Sequence, residues 1–285
     1  VKALVLGSGG ARIAYLVGAA QRLLNAGLQF DIYAGNSAGA LVAAILAQYA
    51  TGYEVSAAAA LRSILGMRTA DVWRSWWPLG RVSGLWKLGM VDATPFHELV
   101  HRRLREAKLR NSGKLLRVGA TSVHTGYAKI FTEQSPFIIP AVIASAAVPG
   151  IFCPVELDGG LWCDGAVRDV APIRAAIRAG ATEIIAVLLT PEKREYATPV
   201  TNAFSAIVRA ADIAGTEILE GDLAGAQLYT ELAMARLTEK RPISITIIRP
   251  KTELLSEGQD SLEFDPAQAS RMQQRGYQDA FVAVG

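Results

Sequence analysis

Two rhythms of apolar side chains alternate from the first residue onward. Residues 2–6 are a short apolar run of the kind a doubly buried strand shows, and residues 13–26 carry apolar positions at helical spacing. Gly27 follows as a C-terminal cap. A second apolar run at 30–34 enters Gly35-Asn36-Ser37-Ala38-Gly39. Residues 38–49 are then apolar nearly all round, which predicts a buried helix. Strand, helix, strand, helix predicts a parallel sheet covered on both faces, an α/β fold.

Further along, residues 53–65 predict an alanine-rich helix. The pattern breaks over 68–90, where Trp73, Trp76, Trp77 and Trp86 interleave with Pro78 and several glycines. Thr94-Pro95 supplies an N-cap and a first-turn proline for the next helix, which is expected to carry His101, Arg102, Arg103, Arg105, Lys108 and Arg110 on one element. Residues 115–123 and 127–132 read as paired strands, and 183–189 and 243–248 as buried ones. A long helical region covers 201–237, and Asp265-Pro266 opens a last helix to about residue 284. There is no internal repeat and no long linker, so one domain over 1–285 is expected.

Composition narrows the classes. With 51% apolar and 19% charged residues, the chain is not disordered. Two cysteines exclude a disulfide framework and a cysteine-built zinc site. Cys153 and Cys163 could face each other across a hairpin, but two buried free thiols in a reducing, cytoplasmic setting is the preferred reading. The net charge of +3 is small. The basic cluster reads as a solvated helix face or as a phosphate or lipid contact, and nothing beside it suggests nucleic acid. No apolar run approaches the ~18 residues a spanning helix needs. As the first residue is Val1, an upstream start or signal segment is left open.

Candidate chemistry lies in three places. Gly35-Asn36-Ser37-Ala38-Gly39 is a G-x-S-x-G between a strand and a helix, the context in which a sharp turn exposes a serine nucleophile; a purely structural turn is the alternative. The helix that starts at Ala38 offers an amide donor and a positive dipole end to developing negative charge. Gly7-Ser8-Gly9-Gly10-Ala11-Arg12 also joins a strand to a helix. It lacks the lysine of a P-loop and the last glycine of a dinucleotide fingerprint. An oxyanion role fits it better than phosphate binding, with a tight packing turn as the plain alternative. The third place is Asp158-Gly159, a hairpin turn, followed by a strand that ends at Asp164. A partly buried carboxylate there, with its pKa raised, could take the serine proton directly. Histidine cannot be placed in any familiar triad order: His97, His101 and His124 all follow Ser37 and all precede Asp164. His97 and His101 read as surface residues.

The glycine loop with Arg12, the elbow around Ser37 and the Asp164-Gly165-Ala166 triplet, in that order, resemble the patatin-like phospholipase family. Residues 144–152 and Phe264-Asp265-Pro266 extend the likeness over nearly the whole chain. The resemblance implies a three-layer α/β/α fold with a mainly parallel central sheet. It also implies a lipid acyl hydrolase with a Ser-Asp dyad: Ser37 as nucleophile, Asp164 as its acid/base partner, and Gly9, Gly10, Ala11 and Arg12 as the oxyanion loop, joined by the Ala38 amide. No metal or other cofactor is expected. Ser8 and Ile13 stand where the family usually has glycine, and Val170 where it has asparagine; none is a dyad position. Other readings are a soluble esterase, thioesterase or acyltransferase, and a non-catalytic lipid-binding module. Trp73, Trp76 and Trp77, flanked by Arg68, Arg74 and Arg81, suggest peripheral membrane contact, with core packing as the alternative.

Overall fold

The computed structural model describes residues 1–77, 87–193, 200, 203–235, 242–255 and 261–284. Within them one sheet contains β1 (Lys2–Leu6), β2 (Ile32–Gly35), β3 (Leu115–Ser122), β4 (Ala128–Thr132), β5 (Val155–Leu157), β6 (Gly160–Asp164), β7 (Glu183–Val187) and β8 (Ser244–Ile248). Strands β8, β7, β1, β2 and β3 run parallel to their neighbours, while β4, β5 and β6 add antiparallel pairs beyond them.

Eleven helices accompany the sheet in the described residues. They are α1 (Ile13–Asn25), α2 (Ala38–Leu46), α3 (Glu54–Ala60), α4 (Arg62–Leu65), α5 (Thr69–Val72) and α6 (Thr94–Arg103), then α7 (Glu106–Asn111), α8 (Ile138–Ser145), α9 (Ile173–Arg178), α10 (Ala203–Met234) and α11 (Pro266–Val284). Strand alternation sorts them into layers. Leu4 and Leu6 of β1 pack with α1, α2 and α8, whereas Ala3 and Val5 join α9 and α10 on the other face. The result is the three-layer α/β/α arrangement with a mainly parallel sheet.

Gly27 closes α1 as expected: its N–H donates to the Leu24 carbonyl and that of Leu28 to Leu23. Other boundaries differ. The helix expected over 38–49 ends at Leu46, and that over 53–65 divides into α3 and α4 at Leu61. The basic cluster is not on one helix. At Leu104 the backbone turns extended and buries the leucine side chain, separating α6 from α7. The Arg105 guanidinium donates to the His101 and Leu104 carbonyls at the end of α6, and Arg110 pairs with Glu106 at 3.0 Å. Much of that charge therefore serves helix ends and surface pairs. Cys153 and Cys163 are free thiols, the first half-buried and the second buried. Among the described residues no helix is long and apolar enough to cross a membrane.

Candidate active site

The site is built on one edge of β3. Arg117 and Val118 have partners in both β2 and β4, and Ala120 and Thr121 in both β4 and β6. A strand has two edges, so β2 and β6 share one of them and approach each other end to end. Gly35, the end of β2, lies opposite Val118, and Asp164, the end of β6, lies opposite Ala120. Two residues along a strand is roughly 7 Å. Strand β2 thus delivers Ser37 to within a short turn of Asp164.

Asn36 fills the gap between the two strand ends. Its Oδ1 accepts from the Gly119 N–H at 2.8 Å, and its Nδ2 donates to the Asp169 carbonyl at 2.6 Å. Its side chain gives the Gly119 N–H an acceptor where the partners of β3 pass from β2 to β6, and it ties down the chain beyond Asp164. Ser37 has φ 54° and ψ −125°, a conformation that serine seldom adopts and that costs on the order of 1–3 kcal/mol. The turn is held from both sides. The Ser37 N–H donates to Oγ of the fully buried Ser145 on α8 at 3.1 Å. A Cβ on Gly35 would strike the Gly39 carbonyl, and one on Gly39 the Leu6 carbonyl, so both glycines are required by close approach.

Asp164 is 3% exposed. Burial pushes its carboxyl up to about 7, against the opposing pull of the Ala166 N–H, which donates to Oδ1 at 2.8 Å, and of the Ser37 hydroxyl beside it. Near neutral pH this group can exchange a proton. Asp158 is the turn residue that the Asp-Gly pair predicts, at φ 55° between β5 and β6 and paired with Lys129 at the surface.

In the glycine loop the amides divide into two groups. The Arg12 N–H and Nε both donate to the Gly9 carbonyl at 3.2 Å. A trans peptide is planar, so pinning that carbonyl turns the Gly10 N–H the opposite way. The Gly9, Gly10 and Ala38 N–H groups have no protein acceptor among the described residues. The Ala11 N–H instead donates to the Ser261 carbonyl at 2.7 Å. Of the expected oxyanion donors, Ala11 and Arg12 are therefore engaged within the protein. Ser8 anchors the loop: its N–H and its hydroxyl both donate to the Val170 carbonyl.

Beside Ser37 and Gly10 opens a cavity of about 500 Å³, mouth included, walled by apolar side chains such as Leu41, Phe96, Val148 and Phe152. The histidines line no part of it. His101 and His124 are exposed, whereas His97 is half-buried, not on the surface as expected, and burial lowers its pKa. Trp73 is partly buried, with its indole N–H on the Leu262 carbonyl, and the Trp76 N–H donates to the Gly89 carbonyl. Trp77 is 90% exposed. Trp86 and Arg81 lie outside the described residues.

Residues 4–177 match the family model described as Patatin-like phospholipase. That span holds the glycine loop, Ser37 and Asp164. The chain belongs to the patatin-like phospholipase family. The uncharacterised protein YqhO of Bacillus subtilis is 29% identical over 221 residues, covering 70% of this chain and 75% of that protein. A patatin-like phospholipase domain-containing protein of Aspergillus oryzae is 34% identical over 198 residues, 59% of this chain but 26% of the longer fungal one. Among solved structures, VipD from Legionella pneumophila superposes at a TM-score of 0.50 over 99% of this chain and 66% of that one. At 14% identity the likeness is one of fold.

Burial of Asp164 has a consequence for stability. Its carboxyl is raised above the ordinary aspartate value, so folding retains a proton that the unfolded chain has released. The associated stability is full below about pH 4 and is lost as pH rises through about 7. Asp164→Asn has no charge to bury. Its stability relative to the parent, from urea melts, should therefore be more favourable near pH 8 than near pH 5. A difference independent of pH would contradict the raised carboxyl.

Proposed function

We propose that the protein hydrolyses carboxylic esters of lipids through a Ser37–Asp164 dyad. The observation that carries this is the meeting of a strained, buried serine and a buried carboxylate with a raised pKa at one end of an apolar cavity. In the reaction Ser37 Oγ attacks the ester carbonyl while ionised Asp164 takes the hydroxyl proton. The Gly9, Gly10 and Ala38 N–H groups receive the oxyanion, and the start of α2 adds its positive dipole end. Collapse of the tetrahedral intermediate breaks the bond to the alkoxy group, which leaves with the proton Asp164 returns. The ionised Asp164 then draws a proton from water, which attacks the acyl-enzyme. Collapse of this second intermediate breaks the bond to Ser37 Oγ, which takes the proton back from Asp164 as the acid leaves. Phospholipids and lysophospholipids are the substrate class in view, and no step uses a metal or another cofactor.

Ser37→Ala should abolish turnover, because the atom that carries the acyl group is gone. Asp164→Asn should lower kcat/KM by about 10²-fold or more. A combined His97→Gln, His101→Gln and His124→Gln variant should keep most activity on a phospholipid panel. A folded but inactive histidine variant, or an Asp164→Asn enzyme near parental activity, would overturn the dyad.

Contact with the bilayer surface belongs to the same proposal. Trp77 stands out from the surface next to Trp76, over whose ring the Lys87 ammonium lies at 4.3 Å, while Leu88 is also exposed and Arg74 pairs with Asp92. An indole at head-group level among cations is a membrane-surface arrangement. Trp77→Ala should weaken sedimentation with anionic vesicles several-fold more than it slows cleavage of a short soluble ester. Equal losses would remove the membrane role.

A further inference from the structure

The cavity at Ser37 is stopped at one side by a wall with a second cavity behind it. The second is a smaller cleft of about 250 Å³, mouth included, and mixes Ala14, Ile64 and Met272 with Glu263 and Gln268. Ile13, Met67 and Phe264 line both cavities, so these three side chains are the partition. Ile13 and Met67 are buried, at 4% and 5% exposure.

The partition is held in place by its backbone. The Phe264 N–H donates to Thr69 Oγ1 at 3.0 Å, and its carbonyl accepts from the Thr69 N–H at 3.1 Å. Two residues earlier, the Leu262 carbonyl accepts from the Trp73 indole at 2.9 Å. One more residue back, the Ser261 carbonyl takes the Ala11 N–H of the glycine loop. Segment 261–264 is thereby tied at four points to α5 and to the loop beside the nucleophile. Ile13 begins α1 immediately after that loop.

We propose that Ile13, Met67 and Phe264 set the length of acyl group the enzyme accepts, confining it to short and medium chains. This rests on the hydrolase reading and adds its specificity. An acyl chain bound to Ser37 extends along Leu41 and Val148 until it meets the wall. Further methylenes must displace packed side chains or stay in water. An apolar pocket discriminates by about 10- to 200-fold per methylene it cannot hold. Trimming the wall joins the two cavities into one longer channel.

The test is the ratio of kcat/KM for p-nitrophenyl dodecanoate to that for the hexanoate, measured within each variant so that any general loss cancels. The parent should favour hexanoate. Phe264→Ala and Ile13→Ala should each raise the ratio about tenfold, and the double variant further. Phe264→Leu and Met67→Ala remove less volume and supply the same comparison if Phe264→Ala fails to fold. An unchanged ratio in folded variants, with hexanoate still cleaved, overturns the wall and leaves the hydrolase standing. If the parent cleaves neither ester and a fluorophosphonate does not label Ser37, the hydrolase reading falls and takes this proposal with it.

Discussion

The shared edge of β3 is the constraint on which everything else at the site depends. Because β2 and β6 occupy successive stretches of that edge, each must stop where the other begins, and the Ser37 turn and the Asp164 carboxyl leave their strands at the junction. A junction of two strand ends normally leaves backbone groups unpaired, at a cost of about 1–3 kcal/mol each when buried. Asn36 answers that with one acceptor and one donor, to Gly119 and to the chain at Asp169. The residue between the glycine and the serine of the motif is thus the joint between Ser37 and Asp164. Ser145 steadies the same turn from α8 through the Ser37 N–H.

Electrostatics then follows from packing. The carboxylate sits 3% exposed with one backbone donor and one hydroxyl as its visible partners, so desolvation outweighs hydrogen bonding and the proton is held to about neutral pH. A second carboxyl in the same loop, Asp169, is raised to about 6, first by burial and then by the charge of Asp222; Arg174 opposes the shift. Burying carboxyls in this way works against stability at neutral and alkaline pH. Extensive apolar packing of α1, α2, α8 and α11 on one face of the sheet offsets that cost.

Much of this was readable in the chain because the signals are local. The βαβ rhythm of the first forty residues, the elbow at Ser37 and the Asp-Gly hairpin that ends at Asp164 each depend on neighbours a few residues apart, and each stands where it was expected. What escaped depends on distant partners. Nothing near Ala11 reveals that its N–H is taken by the carbonyl of Ser261, and nothing in the sequence of α8 reveals that Ser145 reaches Ser37. Leu104 ends α6 because the hydrophobic core claims its side chain, a tertiary preference stronger than the helical spacing around it. Whether Trp73 faces a membrane or the core stays open in the sequence, because Leu262, which accepts its N–H, lies far along the chain.

The central claim is that a carboxyl raised by burial, with no imidazole behind it, activates Ser37. Its most direct test is the rate at which a fluorophosphonate labels Ser37 across pH in the variant with all three histidines changed to Gln. The account predicts a rate that rises with pH through a single inflection near 7, where Asp164 loses its proton. Loss of that inflection together with the histidines, or a rate that does not respond to pH around neutrality, would contradict it.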